Sequence, residues 1–194
     1  PGMWSFAATA SSIRDEVLNA YNNKHYVKVH SAWNHIESMD GYIEAVGPSL
    51  VLIRQFRDFL EYGWSVARIE DITGVSRSIG DAFADHVLRC EGLYSCHHSV
   101  PEVDVGCIAA AIENVGRQYG HVCLYDVRAA EEGHLLLGRY TDIIADEVRI
   151  LPYSTDGWLD REPYAVLLGD VVMMEFETPY MRTLYKYVRF REDE

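Results

Sequence analysis

Cys90, Cys96, His97 and His98, with Cys107 downstream, gather soft metal ligands and nucleophiles within one short stretch of the chain. Four such groups converging at about 2.0 to 2.3 Å would hold a tetrahedral zinc ion, so these residues are a candidate metal centre. Their spacing is wider than the two- to four-residue gap by which paired thiolates usually grip one ion. A thiolate nucleophile at neutral pH needs a neighbouring imidazolium or a helix N-terminus. Cys96 beside His97, and Cys123 near His121, meet the first condition in sequence. Carboxylates form a second set: Glu131-Glu132-Gly133-His134, then Asp142, Asp146 and Glu147, then Glu175 and Glu177. They could serve a magnesium-dependent nuclease or acid–base chemistry, but no lysine follows Glu175-Phe176-Glu177 to complete a nuclease set. The chain has neither a Gly-x-Ser-x-Gly elbow nor a glycine-rich phosphate loop, and no cofactor is expected. His25, His30 and His35 stand five residues apart, about 140° per step on a helix, so they share no face.

Charge narrows the partners. The 194 residues carry 17 basic and 30 acidic side chains, a net charge of −13 that repels phosphate backbones and disfavours nucleic acid. Eight basic and twelve acidic residues stand through His97, against nine and eighteen after it, so the second half holds the acidic surplus. Four cysteines without a leader-like N-terminus read as reduced thiols in a cytoplasmic protein. No apolar run approaches the roughly 18 residues of a membrane span.

The elements that must carry these groups follow from periodicity and punctuation. Ser12 with Asp15 forms an N-cap signature ahead of Ile13, Val17 and Tyr21, which predicts a helix over 13–21. Val29, Trp33, Ile36 and Ile43 repeat near helical spacing up to Gly47-Pro48. A third helix is predicted over 49–62, with Leu52, Phe56, Phe59 and Leu60 inward, and shorter ones over 66–73 and 77–89. The aperiodic run 90–104 is the best internal boundary, and a helix over 105–119 closes at Gly120. Beyond it, 121–127, 135–140, 147–151, 164–176 and 183–191 are rich in β-branched and aromatic residues and read as strands, the fourth being either one buried strand with a bulge or two strands with a tight turn at Gly169-Asp170. No repeat is visible. The expected fold is α+β: an N-terminal helical bundle (1–95) followed by a mainly antiparallel or mixed β-sheet with one further helix (96–194).

Within 66–85, Ala67-Arg68-Ile69-Glu70-Asp71-Ile72-Thr73-Gly74-Val75-Ser76-Arg77-Ser78 resembles the helix-turn-helix of bacterial repressors, above all in its Gly-Val-Ser turn. The resemblance covers a tenth of the chain and implies DNA reading by Arg77 and Ser78, with Ile69, Val75 and Phe83 in the motif's core. Glu70 and Gly80 depart from the pattern, and Asp81 and Asp85 would meet phosphates unfavourably.

Acidity without a catalytic signature supports a non-enzymatic binding or inhibitory protein that docks a basic surface of a protein partner, in the manner of immunity proteins or nucleic-acid mimics. Asp142, Asp146, Glu147, Tyr180, Tyr185 and Tyr187 are its candidate contacts, since tyrosine joins apolar area to a hydroxyl. The alternatives are a helix-turn-helix regulator using Arg77 and Ser78, and a small enzyme or zinc site at Cys90, Cys96, His97 and His98. Oligomeric state is not legible.

Overall fold

A computed structural model describes residues 12–33, 36, 38–95, 99–128, 135–154 and 156–190. Ten strands form one antiparallel sheet, β1 (Tyr26–Ser31), β2 (Met39–Val46), β3 (Leu50–Arg57), β4 (Leu60–Arg68), β5 (Ile72–Ser76), β6 (His121–Asp126), β7 (Leu136–Ile144), β8 (Glu147–Pro152), β9 (Tyr164–Leu167) and β10 (Val171–Phe176). Their spatial order is β5-β1-β2-β3-β4-β10-β6-β7-β8-β9. The described helices are α1 (Ile13–Asn23), α2 (Ile79–Cys90), α3 (Ile108–Tyr119) and α4 (Pro179–Tyr187), with a 3-10 turn at Ile69–Asp71.

The class is α+β, but the N-terminal helical bundle does not exist: after α1, residues 26–76 carry five strands and, among the described residues, no α-helix. The cause is burial on both faces. Every residue of β3 from Leu50 to Phe56 is buried, so the strand lacks the two-residue alternation that would reveal it, and its apolar residues happen to fall at helical spacing. The segment 66–85 likewise does not form two helices. Ala67 and Arg68 end β4, Gly74-Val75-Ser76 is extended β5, and only α2 is helical. In the other direction, the strand expected over 183–191 does not form in its described part, because 183–187 belong to α4. Thr178 caps α4 through its side chain, with Pro179 in the first turn, a start signal that the apparent alternation after Thr183 concealed.

The sheet is a tandem of two units that no repeat in the sequence announced. Each runs helix, five strands, helix, and in each the fifth strand pairs with the first, giving β5-β1-β2-β3-β4 and β10-β6-β7-β8-β9. The correspondence extends to single residues. Gly41 on β2 faces Gln55, and Gly138 on β7 faces Pro152; a register shift follows each, between Ile43 and Ala45 and between Tyr140 and Asp142. At both glycines a Cβ would collide with the neighbouring strand, at the carbonyls of Arg54 and Leu151. Pairing of β4 with β10, Trp64 opposite Phe176 through Ala67 opposite Met173, fuses the units.

Two apolar layers sandwich this sheet. Val51 and Ile53 join Val17 and Ala20 of α1 on one face; Leu50 and Leu52 join Ile112 and Val115 of α3 on the other, because successive side chains alternate. α2 shares the α3 face, where Leu88 packs among Tyr26, Tyr42 and Phe56.

Candidate functional site

α2 is anchored by a charge and by the buried Leu88, and presents Ile79 and Phe83 outward. Ser78 and Asp81 close a capping box at its N-terminus. Asp85, on the inner face and buried, accepts hydrogen bonds from the Tyr42 hydroxyl at 2.7 Å, Arg77 Nη2 at 3.1 Å and Arg89 Nε at 2.6 Å. Tyr42 also stacks on Tyr94 at 3.5 Å between centroids, and burial with the Asp85 carboxylate pushes its hydroxyl pKa up. A buried charge so fully paired fixes which way the helix is rolled. Ile79 and Phe83, one turn apart, therefore face solvent.

The β3–β4 hairpin brings a second apolar pair to the same place. Arg57 pairs with Leu60, leaving Asp58-Phe59 as a two-residue turn with φ of 52° and 63°. Both residues are left-handed, as a type I′ turn demands. Glycine and asparagine fill such positions readily; a phenylalanine there costs roughly 1 to 2 kcal/mol. The Phe59 ring meets that of Phe83 edge-on at 6.4 Å. Phe59, Leu60, Ile79 and Phe83 are 43%, 69%, 92% and 59% exposed. Scattered exposed apolar residues are ordinary; here the Phe59–Phe83 ring contact and the one-turn spacing of Ile79 and Phe83 draw three of the four together, with Phe59 on left-handed backbone. Nothing in the sequence pointed to it: Asp-Phe is not a turn signature, and Phe59 and Leu60 fitted the inward face of a helix that does not form.

A polar cleft of about 190 Å³ lies where the units join. Gln55 Nε2 donates to Glu175 Oε1 at 3.0 Å and to the Ser65 hydroxyl, and the Tyr125 hydroxyl donates to Glu175 Oε2 at 3.2 Å. Burial raises the Glu175 carboxyl pKa, against the lowering effect of Gln55, Tyr125 and the Arg57 guanidinium. Arg57 in turn lies over the Tyr62 ring at 4.2 Å. These groups bind one another, so the cleft is a polar seam between the units.

The residues singled out from sequence are dispersed. Asp142, on β7, is held by Arg149 at 2.8 and 2.9 Å. Asp146 in the β7–β8 turn and Glu147 at the start of β8 are exposed. Tyr180, Tyr185 and Tyr187 are exposed on α4, and among the described residues no hydrogen bond or ion pair joins that helix to the turn. Arg77 is committed to Asp85 and Ser78 caps α2, so neither stands on a recognition helix. Cys90 is exposed at the end of α2, its sulfur 3.6 Å from His86 Nε2. Cys96, His97 and His98 lie outside the described residues, as do His35 and residues 131–134. Among the described residues no three metal-ligating side chains converge. Cys123 is buried in the sheet, where burial and Glu175 hold its thiol pKa well above the usual value; this is the environment of an inert thiol.

Fold and surface together define an α+β protein of two tandem units on one antiparallel sheet, with an exposed aromatic patch at the tip of the first. Set against protein-family models, curated proteins and solved structures, the chain matches none. No described helix is long and apolar enough to cross a membrane.

Proposed function

We propose that the protein is a non-enzymatic binding protein that docks a protein partner on the Phe59–Leu60–Ile79–Phe83 patch. The observation that carries this reading is the left-handed Phe59, held at an energetic cost with its ring against an exposed Phe83. Two features support it. The polar clusters that could do acid–base work, around Asp85 and around Glu175, are satisfied internally. The patch is also a compact apolar centre flanked by Asp58 and Asp81, the arrangement of an interface core with a charged rim.

The rim sets the partner's chemistry. Asp58 and Asp81 beside the patch favour a surface that is apolar at its centre and basic around it, while the chain's net charge of −13 opposes a second copy of the same chain. The basic-surface partner expected from composition is thus retained, and its contact moves from the acidic turn to α2 and the β3–β4 hairpin.

The test is affinity purification from the cells that make the protein, with cross-linking. Ile79→Asp combined with Phe83→Asp alters only solvent-facing side chains and is expected to abolish recovery of a partner that the parent chain captures. Asp142→Asn combined with Asp146→Asn should leave recovery intact. Loss with the second pair and retention with the first would return the contact to the acidic turn and overturn the patch.

A further inference from the structure

A second site lies in the other unit, where α3 hands over to β6. His121 begins β6 directly after Gly120, and it is 3% exposed. Neither its Nδ1 nor its Nε2 has a hydrogen-bond partner among the described residues. Leaving buried polar atoms unpaired costs about 1 to 3 kcal/mol, so such an orphan needs an explanation in a native structure. The matching residue of the first unit, Tyr26, shows the difference. Its hydroxyl donates to the Phe56 carbonyl at 3.4 Å. His121 instead lies against the Tyr185 ring of α4 at 4.5 Å, tilted by 33°, and borders a cavity of about 520 Å³.

Arg182 and Lys186 of α4 line the same cavity, and both are exposed. Stacked one helical turn apart, like charges repel by a few tenths of a kcal/mol, and among the described residues neither makes an ion pair. Two uncompensated cations in so acidic a chain favour an anion between them. Glu177 also stands on the wall, which disfavours a highly charged anion, while Tyr119, Pro179 and Tyr185 supply apolar surface. Burial lowers the His121 pKa, so the neutral ring offers one donor and one acceptor.

We propose that this cavity binds a small organic carboxylate with an aromatic body. The Arg182 guanidinium takes the carboxylate through paired N–H donors, Lys186 adds charge, the ring lies against Tyr119 and Tyr185, and a shift of the overlying Tyr185 ring lets the buried His121 ring donate to the carboxylate. The site is independent of the proposed docking patch.

The test follows the imidazole resonances of His121 by NMR during titration with benzoate and phenylacetate, with benzyl alcohol and inorganic phosphate as controls. Both carboxylates are expected to give saturable shifts. Arg182→Met, at an exposed position and checked for folding by circular dichroism, should weaken binding about tenfold or more, the loss of one charged hydrogen-bonding partner. Benzyl alcohol and phosphate should not reproduce the shifts. Absence of a saturable shift with both carboxylates would overturn the proposal. So would equal binding of benzyl alcohol, an Arg182→Met variant that binds as before, or phosphate binding where the carboxylates do not.

Discussion

Glu175 is a carboxylate whose burial opposes its charge, and that fixes the sign of its pH response. Its pKa in the folded protein is raised above the ordinary 4.5, so the folded state holds the proton more tightly than the unfolded chain does. The stabilisation is fully present below the ordinary value and is lost as pH rises through the folded one. Glu175→Gln has no proton to lose. Its melting temperature relative to the parent should therefore climb from mild acid toward neutrality and then level off; a gap that stays constant with pH would refute the assignment. Steric fit gives a sharper expectation at Gly41 and Gly138, where a methyl group runs into a neighbouring backbone carbonyl. Gly41→Ala and Gly138→Ala should each cost about 3 kcal/mol or more in urea unfolding, whereas Gly157→Ala meets no atoms and pays only for its left-handed backbone. Neither glycine was identifiable from sequence, since close approach by a strand distant along the chain leaves no local mark.

Elements were legible where their signals are local. The capping box at Ser12 announced α1, Gly120 closed α3, and the strands β6 to β8 stood close to their expected places. Strands β2 to β4 were misread because both faces of the sheet are covered there, by α1 on one and by α2 and α3 on the other, which erases the alternation. The aromatic patch was hidden for a related reason: it depends on the tip of one hairpin meeting the outer face of a helix twenty residues on. That hairpin yields a test in which stability and binding move in opposite directions. Replacing Asp58-Phe59 by Asn-Gly supplies the residues a type I′ turn prefers and relieves about 1 to 2 kcal/mol. The variant should melt higher in calorimetry yet capture less partner in the same purification. Higher stability with undiminished capture would remove Phe59 from the contact.

The molecule as a whole unites two units through one ladder, one polar seam and shared apolar layers. β3, β4, β10 and β6 lie at its middle, while β5 and β9 are each paired on one side only. Native-state hydrogen exchange should find the slowest amides in the central four strands and the fastest strand amides in β5 and β9; uniform protection across the sheet would contradict this order. The α+β class survives although the helical bundle on which it was expected does not form, and tandem architecture is a property of pairing order that no repeat in the sequence displays.

The covalent connection between the units should be dispensable for the fold. Among the described residues no strand lies between the end of α2 at Cys90 and the start of α3 at Ile108, and Ser99 and Val100 within that connection are exposed. A chain split after Ser99 keeps every rung of the sheet, so the two fragments, produced separately and mixed, should reconstitute the native spectrum. Either fragment alone should aggregate, because each would carry a raw edge, β4 or β10, that has lost its mate.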